Sequence, residues 1–150
     1  MPDANLQTAL RSFKLVEEKD LDGLMVLYTK DATLSDPHYP NPHMQGHKQI
    51  AEGMKWGFDS LNKLGFNIID SYTSTDGKSL VISVNTAHEL PNGKPLCFPQ
   101  LFVFTFEGQL IKSFDAYVQY GPHGGIGLML TLTRIGKSLL DLKNKILRNG

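Results

Sequence analysis

The sequence has little cysteine, no excess of charge of either sign and no long hydrophobic run. Cys97 is the one cysteine among 150 residues, so no internal disulfide is possible, as is typical of proteins in a reducing compartment. Lys plus Arg and Asp plus Glu number 15 each, so we expect no general attraction to nucleic acid or to acidic lipid. No apolar stretch approaches the length of a membrane span.

Several well-known motifs are missing as well. The sequence has no glycine-rich phosphate-binding loop, no CxxC pair and no nucleophile elbow, and no other pattern in it implies a cofactor. The first residues, MPDANLQTALRS, lack the basic start and apolar run of a secretory signal. Because 41% of the residues are hydrophobic, the chain can form a core, and we expect a cytosolic protein.

The first half of the chain has the spacing of amphipathic helices. Asp3 and Asp20 are suitable N-caps for a first helix and a short second one. A third helix is predicted over residues 47–64 and ended by Gly65. The segment before it, LSDPHYPNPHMQG, contains three prolines and predicts a loop, preceded by a short strand at residues 33–35.

From Phe66 the hydrophobic period changes to two, which is typical of strands. Four such runs follow: FNIIDSYTS, SLVISVNTAHEL, LCFPQLFVFTF and QLIKSFDAYVQY. Turn-forming residues separate them at positions 76–77, 91–93 and 107–108. Such short links predict an antiparallel meander, and helices followed by this sheet indicate an α+β fold.

The last thirty residues have a different pattern. After GPHGG at 121–125, apolar residues recur from Leu128 to Ile146 at a 4-3-4-3-4 spacing, which predicts a helix with a narrow apolar seam. We expect it to dock on the body or on a second subunit; the alternative is a helix lying on a membrane surface. The chain is therefore predicted to consist of a domain over 1–120 and a helical extension over 121–150.

Several short motifs resemble one family. The run LVEEKDLDGLMVLYTKDATLSDP, then Gly46 with KQI, and later GKP, the turn at Gly108 and DAYV resemble the bacterial ketosteroid isomerases and their SnoaL-like, nuclear transport factor 2-like relatives. The resemblance covers roughly residues 6 to 120. It implies a cone in which a bent antiparallel sheet wraps three N-terminal helices around one mostly apolar pocket. Isomerases, cyclases, dehydratases, epoxide hydrolases and silent binding modules share this scaffold.

The resemblance implies a general base at Asp36, in the Asp36-Pro37 pair. The alternative is that Asp36 caps a turn and accepts hydrogen bonds from backbone amides. The two oxyanion donors of the resembling isomerases align with Ser12 and Phe102, so both donors are absent. Because one such donor contributes on the order of a hundredfold in rate, a steroid isomerase is not expected.

A second candidate acid lies on the last strand. In the SnoaL-like cyclases an acid near this position faces the pocket, so we expect Asp115 and Tyr117 to point inward. The alternating set would then lie outside and form a homodimer contact: Phe114, Ala116, Val118 and Tyr120. The alternative exchanges the two faces, with the aromatic set in the core and Asp115 in solvent.

Two carboxyl groups in one cavity could serve as a general acid and a general base without a cofactor. One would stay protonated and donate, and the other would stay ionised and accept. This hypothesis requires Asp36 and Asp115 to face the same hollow. The alternative function is a catalytically silent ligand-binding or dimerisation module.

The remaining site predictions concern histidines and the apolar lining. His38, His43 and His47 share the proline-rich segment; a zinc site is conceivable, but stiff backbone separates them and no metal site is predicted. Trp56 lies nearly opposite the apolar stripe of its helix, so it is expected to be partly exposed or covered. We expect a small, largely apolar ligand to contact Ser12, Tyr28, His38, Met54, Phe58, His88, Phe102, Phe104 and Tyr117.

Overall fold

A computed structural model describes residues 3–118 and, beyond them, residues 132, 135, 136, 139 and 142–148. The chain forms two compact units, Met1–Val118 and Gln119–Gly150. In the second unit the described residues are helical; they include most of the predicted apolar seam, whereas Leu128 lies outside the described residues. Among the described residues, no helix combines the length and apolar composition needed to cross a bilayer.

The first unit is a mixed α+β structure with helices against a curved, open sheet. Its helices are α1 (Ala4–Glu17), α2 (Leu21–Met25) and α3 (Gly46–Ser60). Its strands are β1 (Tyr28–Ser35), β2 (His43–Gln45), β3 (Phe66–Thr73), β4 (Ser79–Thr86), β5 (His88–Glu89), β6 (Pro95–Leu96), β7 (Pro99–Glu107) and β8 (Leu110–Val118). The predicted fold class is confirmed.

The predicted caps are present at the starts of the first two helices. The side chain of Asp3 accepts a hydrogen bond from the backbone N–H of Asn5, and that of Asp20 accepts one from Gly23. These bonds satisfy donors that the first turn of a helix leaves unpaired. The third helix differs from the prediction, because α3 ends at Ser60 rather than near residue 64.

Six strands form the main sheet in the order β2-β1-β8-β7-β4-β3. The predicted meander is confirmed, since β3, β4, β7 and β8 pair as antiparallel neighbours. Strand β1 is longer than the strand predicted at residues 33–35, because it begins at Tyr28. It pairs in parallel with β8, a long-range contact that local sequence patterns do not reveal. Irregularities in three of the pairings bend the sheet.

The core lies between the helices and the inner face of the sheet. Phe13 of α1 is at its centre, with ring centroids 4.9 Å from Phe66, 5.1 Å from Phe102 and 5.8 Å from Phe104. Tilted and edge-on aromatic contacts of this kind stabilise a core beyond the area that they bury. Phe13 therefore joins the first helix to the meander.

Candidate active site

A cavity of about 280 Å³ opens between the helices and the inner face of the sheet. Its wall is mostly aromatic and aliphatic, with a few polar groups, which is the usual composition of a small-molecule pocket. Seven residues predicted for the site line it: Ser12, Tyr28, Asp36, His38, Met54, His88 and Phe102. Phe58 and Phe104 are buried in the core and do not line this cavity.

Asp36 lines the cavity because of its position just after β1. The parallel register opposes Leu34 to Phe114 on the inner face and Ser35 to Asp115 on the outer face. Alternation along the strand then turns the next side chain, Asp36, inward, where it is buried. Its inward orientation agrees with the expectation from the resemblance.

The Asp36 carboxylate is held by His38. Its Oδ1 accepts the backbone N–H of His38 at 2.9 Å and lies 2.8 Å from the Nδ1 of the same residue. The bond from the His38 N–H is the one expected if Asp36 caps a turn. The Asp36 carboxylate therefore stabilises the turn and also faces the cavity. The Oδ2 atom has no hydrogen-bond partner among residues 3–118. One oxygen is thus fixed and the other is available to a ligand.

The expectation that Asp115 and Tyr117 face the cavity is wrong. Asp115 opposes Val103 across the ladder, and Tyr117 opposes Leu101, on the outer face of the sheet. Tyr117 is 59% exposed, and neither Asp115 nor Tyr117 lines the cavity. The hypothesis of two carboxylates sharing one hollow therefore fails.

A bulge explains this reversal. Strands β7 and β8 begin their pairing with Glu107 opposite Leu110, but the register shifts between Thr105 and Phe106. In an unbroken ladder Phe102 would oppose Asp115; with the bulge it opposes Ala116 instead. A shift of one residue moves every later side chain to the other face. The apolar set that was expected outside, including Phe114 and Ala116, is consequently buried.

His88 lines the cavity with one ring nitrogen already engaged. The backbone N–H of Gly65 donates to its Nδ1 at 3.1 Å. Burial, and next the positive charge of His38, lower the pKa of the His88 imidazole, while the charge of Asp36 partly opposes them. The ring is therefore held in its neutral form, which carries its hydrogen on Nε2.

Two tyrosines contribute to the same wall. Burial raises the pKa of Tyr28, with a smaller contribution from Tyr39, so its hydroxyl stays protonated. Burial and then the charge of Asp36 raise the pKa of Tyr39, whose hydroxyl donates to the Sδ of Met54 at 3.6 Å. Tyr39 comes from the proline-rich segment, where no periodic pattern distinguishes inward from outward side chains.

Gln100 is a further cavity residue that the sequence reasoning missed. It lies on β7, on the inner face that also carries Phe102 and Phe104, and it is only 5% exposed. A signal was present, since a polar residue in phase with a row of phenylalanines is unusual on a buried face. Trp56, which is 45% exposed, also lines the cavity and has its ring against that of Tyr39.

The histidines of the proline-rich segment take separate positions. His38 bonds to Asp36, His43 Nδ1 lies 3.2 Å from the Ser35 hydroxyl, and His47 Nε2 lies 3.0 Å from the Tyr28 carbonyl oxygen. Within the described part of the chain, no three His, Cys, Asp or Glu side chains are grouped so that they could hold a metal ion. These histidines act as individual hydrogen-bonding groups.

Comparison with known proteins gives a family and a fold. Residues 9–114 match the model of the SnoaL-like domain family. No curated protein matches the chain in sequence.

Three solved structures illustrate the shared fold. A protein described as a SnoaL-like polyketide cyclase from Shewanella denitrificans has 19% identity and a TM-score of 0.68, covering 80% of this chain and 93% of its own. SalBIII, an epoxide hydrolase/cyclase-like enzyme in pyran ring formation in the polyether salinomycin, has 19% identity and a TM-score of 0.68, covering 77% and 91%. Rv0760c from Mycobacterium tuberculosis, in complex with estradiol-17β-hemisuccinate, has 14% identity and a TM-score of 0.69, covering 79% and 95%.

Proposed function

This chain belongs to the SnoaL-like domain family, and we propose that it binds one small, largely apolar ring compound in the cavity between its helices and its sheet. The cavity of about 280 Å³ with its mostly apolar wall carries the proposal. An engineered apolar cavity of about 150 Å³ holds benzene, so this one is suited to a compound of one or two rings. The ring-forming enzyme and the steroid complex among the similar structures support a ligand of this kind.

Binding can be tested with tetralin, a two-ring hydrocarbon, in a titration followed by two-dimensional NMR. Val16 lies on α1 at the cavity wall, so Val16→Phe adds a ring to the space that the probe needs. Val26 is 65% exposed and does not line the cavity, so Val26→Phe is the matched control. We expect saturable binding that Val16→Phe weakens and Val26→Phe leaves unchanged. Binding that both variants tolerate would place the ligand elsewhere and reject the proposal.

A second candidate function, proton transfer on the bound ligand, is favoured by Asp36. Its unpartnered Oδ2 and its fixed Oδ1 at the cavity wall suit a base that removes a proton next to a carbonyl group. The carboxylate would take the proton from carbon, the C–H electron pair would form the new C=C bond, and the carbonyl π pair would move onto oxygen. Return of a proton to carbon completes an isomerisation or an exchange without a cofactor.

The test is exchange of the α-hydrogens of 2-tetralone for deuterium in D₂O, followed by NMR. We expect the protein to accelerate exchange and Asp36→Asn to reduce the accelerated rate by about a hundredfold. Asp59→Asn, a change at an exposed residue paired with Lys55, should not alter it. If the wild type binds 2-tetralone without accelerating exchange, the chain is a silent binding module of the same fold.

We also propose that a second copy of the chain covers the outer face of the sheet. Apolar side chains are paired at several places on this face: Tyr72 opposes Val81, Val81 opposes Val103, and Leu101 opposes Tyr117. Tyr72 and Tyr117 are exposed in the single chain. Exposed apolar side chains on a sheet are costly in water, and an isologous dimer would bury them.

Sedimentation measurements test this homodimer. Leu101 is 44% exposed on this outer face, so Leu101→Glu should shift the protein to the monomer, because each copy would bury an unpaired charge in the apolar contact. Val26→Glu, on an exposed residue away from the sheet, is the control. A wild-type protein that sediments as a monomer at all accessible concentrations would contradict the homodimer.

A further inference from the structure

A second hollow lies next to the cavity, on the far side of two aromatic side chains. This groove of about 210 Å³ is formed by the segment between β1 and β2 and by the middle of α3. Its polar side chains include Asn41, Gln49 and Glu52, so it is less apolar than the cavity. Of the residues that the structure describes, Tyr39 and Trp56 alone line both the cavity and the groove. The side chains of these two residues therefore form the wall between the two hollows.

Close packing on α3 holds the Tyr39 part of this wall in place. Gly53 and Gly57 are four residues apart, so they lie on one face of the helix. A Cβ atom at Gly57 would lie 3.0 Å from the Tyr39 hydroxyl oxygen, and one at Gly53 would lie 2.1 Å from the Sδ of Met44. Tyr39 and Met44 therefore occupy space that side chains on this face of α3 would need. Because its hydroxyl also donates to the Sδ of Met54 at 3.6 Å, Tyr39 has little room to move.

Trp56 supplies the other part of the wall from α3 itself. Its indole ring lies against the ring of Tyr39, with the centroids 5.8 Å apart and the ring planes at 57°, and 45% of the residue is exposed. Gln49, Glu52 and Trp56 follow each other at a spacing of three and four residues, so they lie along one face of α3. A ligand that extended from the cavity towards this polar face would have to pass the indole.

We propose that Trp56 is a specificity-determining residue, because its indole closes the cavity on the side of the groove and excludes longer ligands. This inference rests on the proposed function and narrows its ligand class to compounds of one or two rings without a rigid extension towards α3. Exclusion by a bulky wall is a common source of specificity, and tryptophan forms such a wall with only two side-chain torsions to order. A smaller side chain at residue 56 would join the cavity to the groove.

Two probes of different length test the role of the indole. Tetralin has two fused rings, and 6-(4-hydroxyphenyl)tetralin adds a rigid third ring whose hydroxyl group suits the polar groove. We expect the wild type to bind tetralin at least about tenfold more tightly than the longer probe, since the indole blocks the third ring. Trp56→Ala should bring the ratio of the two dissociation constants to about one or reverse it. Trp56→Phe, which keeps a smaller ring, should give an intermediate ratio.

The matched control is Lys55→Ala, at the preceding position of α3. The Lys55 side chain is 67% exposed and lines neither hollow, so this variant should keep the wild-type ratio. Equal binding of the two probes to the wild type would overturn the role of Trp56 and leave the proposed function standing. A ratio that Trp56→Ala leaves unchanged, or that Lys55→Ala changes as much, would also overturn it. Failure of tetralin to bind the wild type would overturn the proposed function, and this inference with it.

A measurement on the wild type serves where a variant does not fold. Trp56 is the one tryptophan of the chain, so the indole signals in NMR spectra belong to it alone. Bound tetralin should show nuclear Overhauser contacts to the indole ring hydrogens, because the indole forms part of the cavity wall. Bound tetralin without such contacts would show that the indole does not limit the space for the ligand, and it would contradict the inference.

Discussion

The backbone N–H of Gly65 lies 3.1 Å from Nδ1 of His88 and donates to it. The position of Gly65 is itself tightly defined, because its carbonyl accepts the N–H of Ala87 at 2.8 Å. A Cβ atom at residue 65 would lie 2.6 Å from the Ala87 carbonyl oxygen, which is well inside van der Waals contact. Because residue 65 has no side chain, its backbone can approach Ala87 closely and donate its N–H to the imidazole of His88 at the cavity wall.

Gly65→Ala should therefore move the backbone away from His88 and destabilise the protein by about 2 kcal/mol. Gly108→Ala is the comparison: Gly108 has a positive φ of 62° but open space around a Cβ, so its cost should be about 1 kcal/mol. Urea unfolding gives both values. Only Gly65→Ala should also change the ¹⁵N shifts of the His88 ring; unchanged shifts would mean that this contact does not set its tautomer.

Burial of His88 predicts acid sensitivity. Its folded-state pKa lies below the ordinary value of 6.5, first because of burial and second because of the charge of His38, with Asp36 opposing. Between these two pKa values the unfolded chain binds a proton that the folded chain does not, so stability rises with pH across this window. As the pH falls below about 6.5, the free energy of unfolding should therefore decrease, by at most about 1.4 kcal/mol per pH unit from this group.

The measurement is the difference between the wild type and His88→Asn, whose side-chain oxygen can still accept the Gly65 N–H. We expect the wild type to lose more stability than the variant between about pH 6.5 and the folded-state pKa. Above about pH 6.5 the free energies of unfolding of the two proteins should change with pH in the same way. Parallel curves throughout the acid range would show that His88 is not the group responsible.

The helix caps and the meander could be predicted because their signals are local. Asp20 precedes its helix directly, and Gly108 lies in the turn that it makes possible. The face of Asp115 could not be predicted in the same way, because alternation defines two faces of a strand without saying which is inward. The answer depends on the bulge beside Thr105, where the hydroxyls of Thr105 and Ser113 share a hydrogen bond of 2.7 Å.

The candidate site was predictable to the extent that it lies on regular elements. Met54 faces the cavity from a helix with a clear apolar stripe, whereas Ser12 was found through its alignment with an oxyanion donor of the resembling isomerases. Asp36 was found through the resemblance, whereas Tyr39 follows it in a segment without periodicity. Gln100 is a different case, since its phase with Phe102 on β7 was visible in the sequence.

Gln100 places an amide on an otherwise apolar inner face of β7, and this position predicts a cost in stability. Placing an amide among apolar side chains costs desolvation free energy, so Gln100→Leu should raise the free energy of unfolding of the ligand-free protein by about 1 kcal/mol. Gln7→Leu, on the exposed face of α1, should change it by less than about 0.5 kcal/mol. Chemical denaturation measures both. A destabilised Gln100→Leu would indicate that the amide already has a good partner in the folded chain.

Lys19 connects the ends of two helices that border the cavity. It follows α1 with a positive φ of 55°, a conformation that is unfavourable for any residue with a side chain except in special contexts. Its Nζ donates to the carbonyl oxygens of Phe58 and Leu61 at 2.7 Å each. A cation there also interacts favourably with the C-terminal end of the α3 dipole.

These two features of Lys19 act in opposite directions, and substitutions can separate them. Lys19→Met keeps the aliphatic stem and the strained backbone but removes the ammonium group, so it should destabilise the protein by about 1 kcal/mol. Lys19→Gly also loses the ammonium group, but glycine adopts a positive φ without strain. The relief of strain should offset most of the loss of stability, by up to about 1 kcal/mol. Thermal or urea unfolding of the three proteins gives the order wild type, then Lys19→Gly, then Lys19→Met. If Lys19→Met is as stable as the wild type, the two hydrogen bonds contribute nothing, and the ends of α1 and α3 are held together by packing alone.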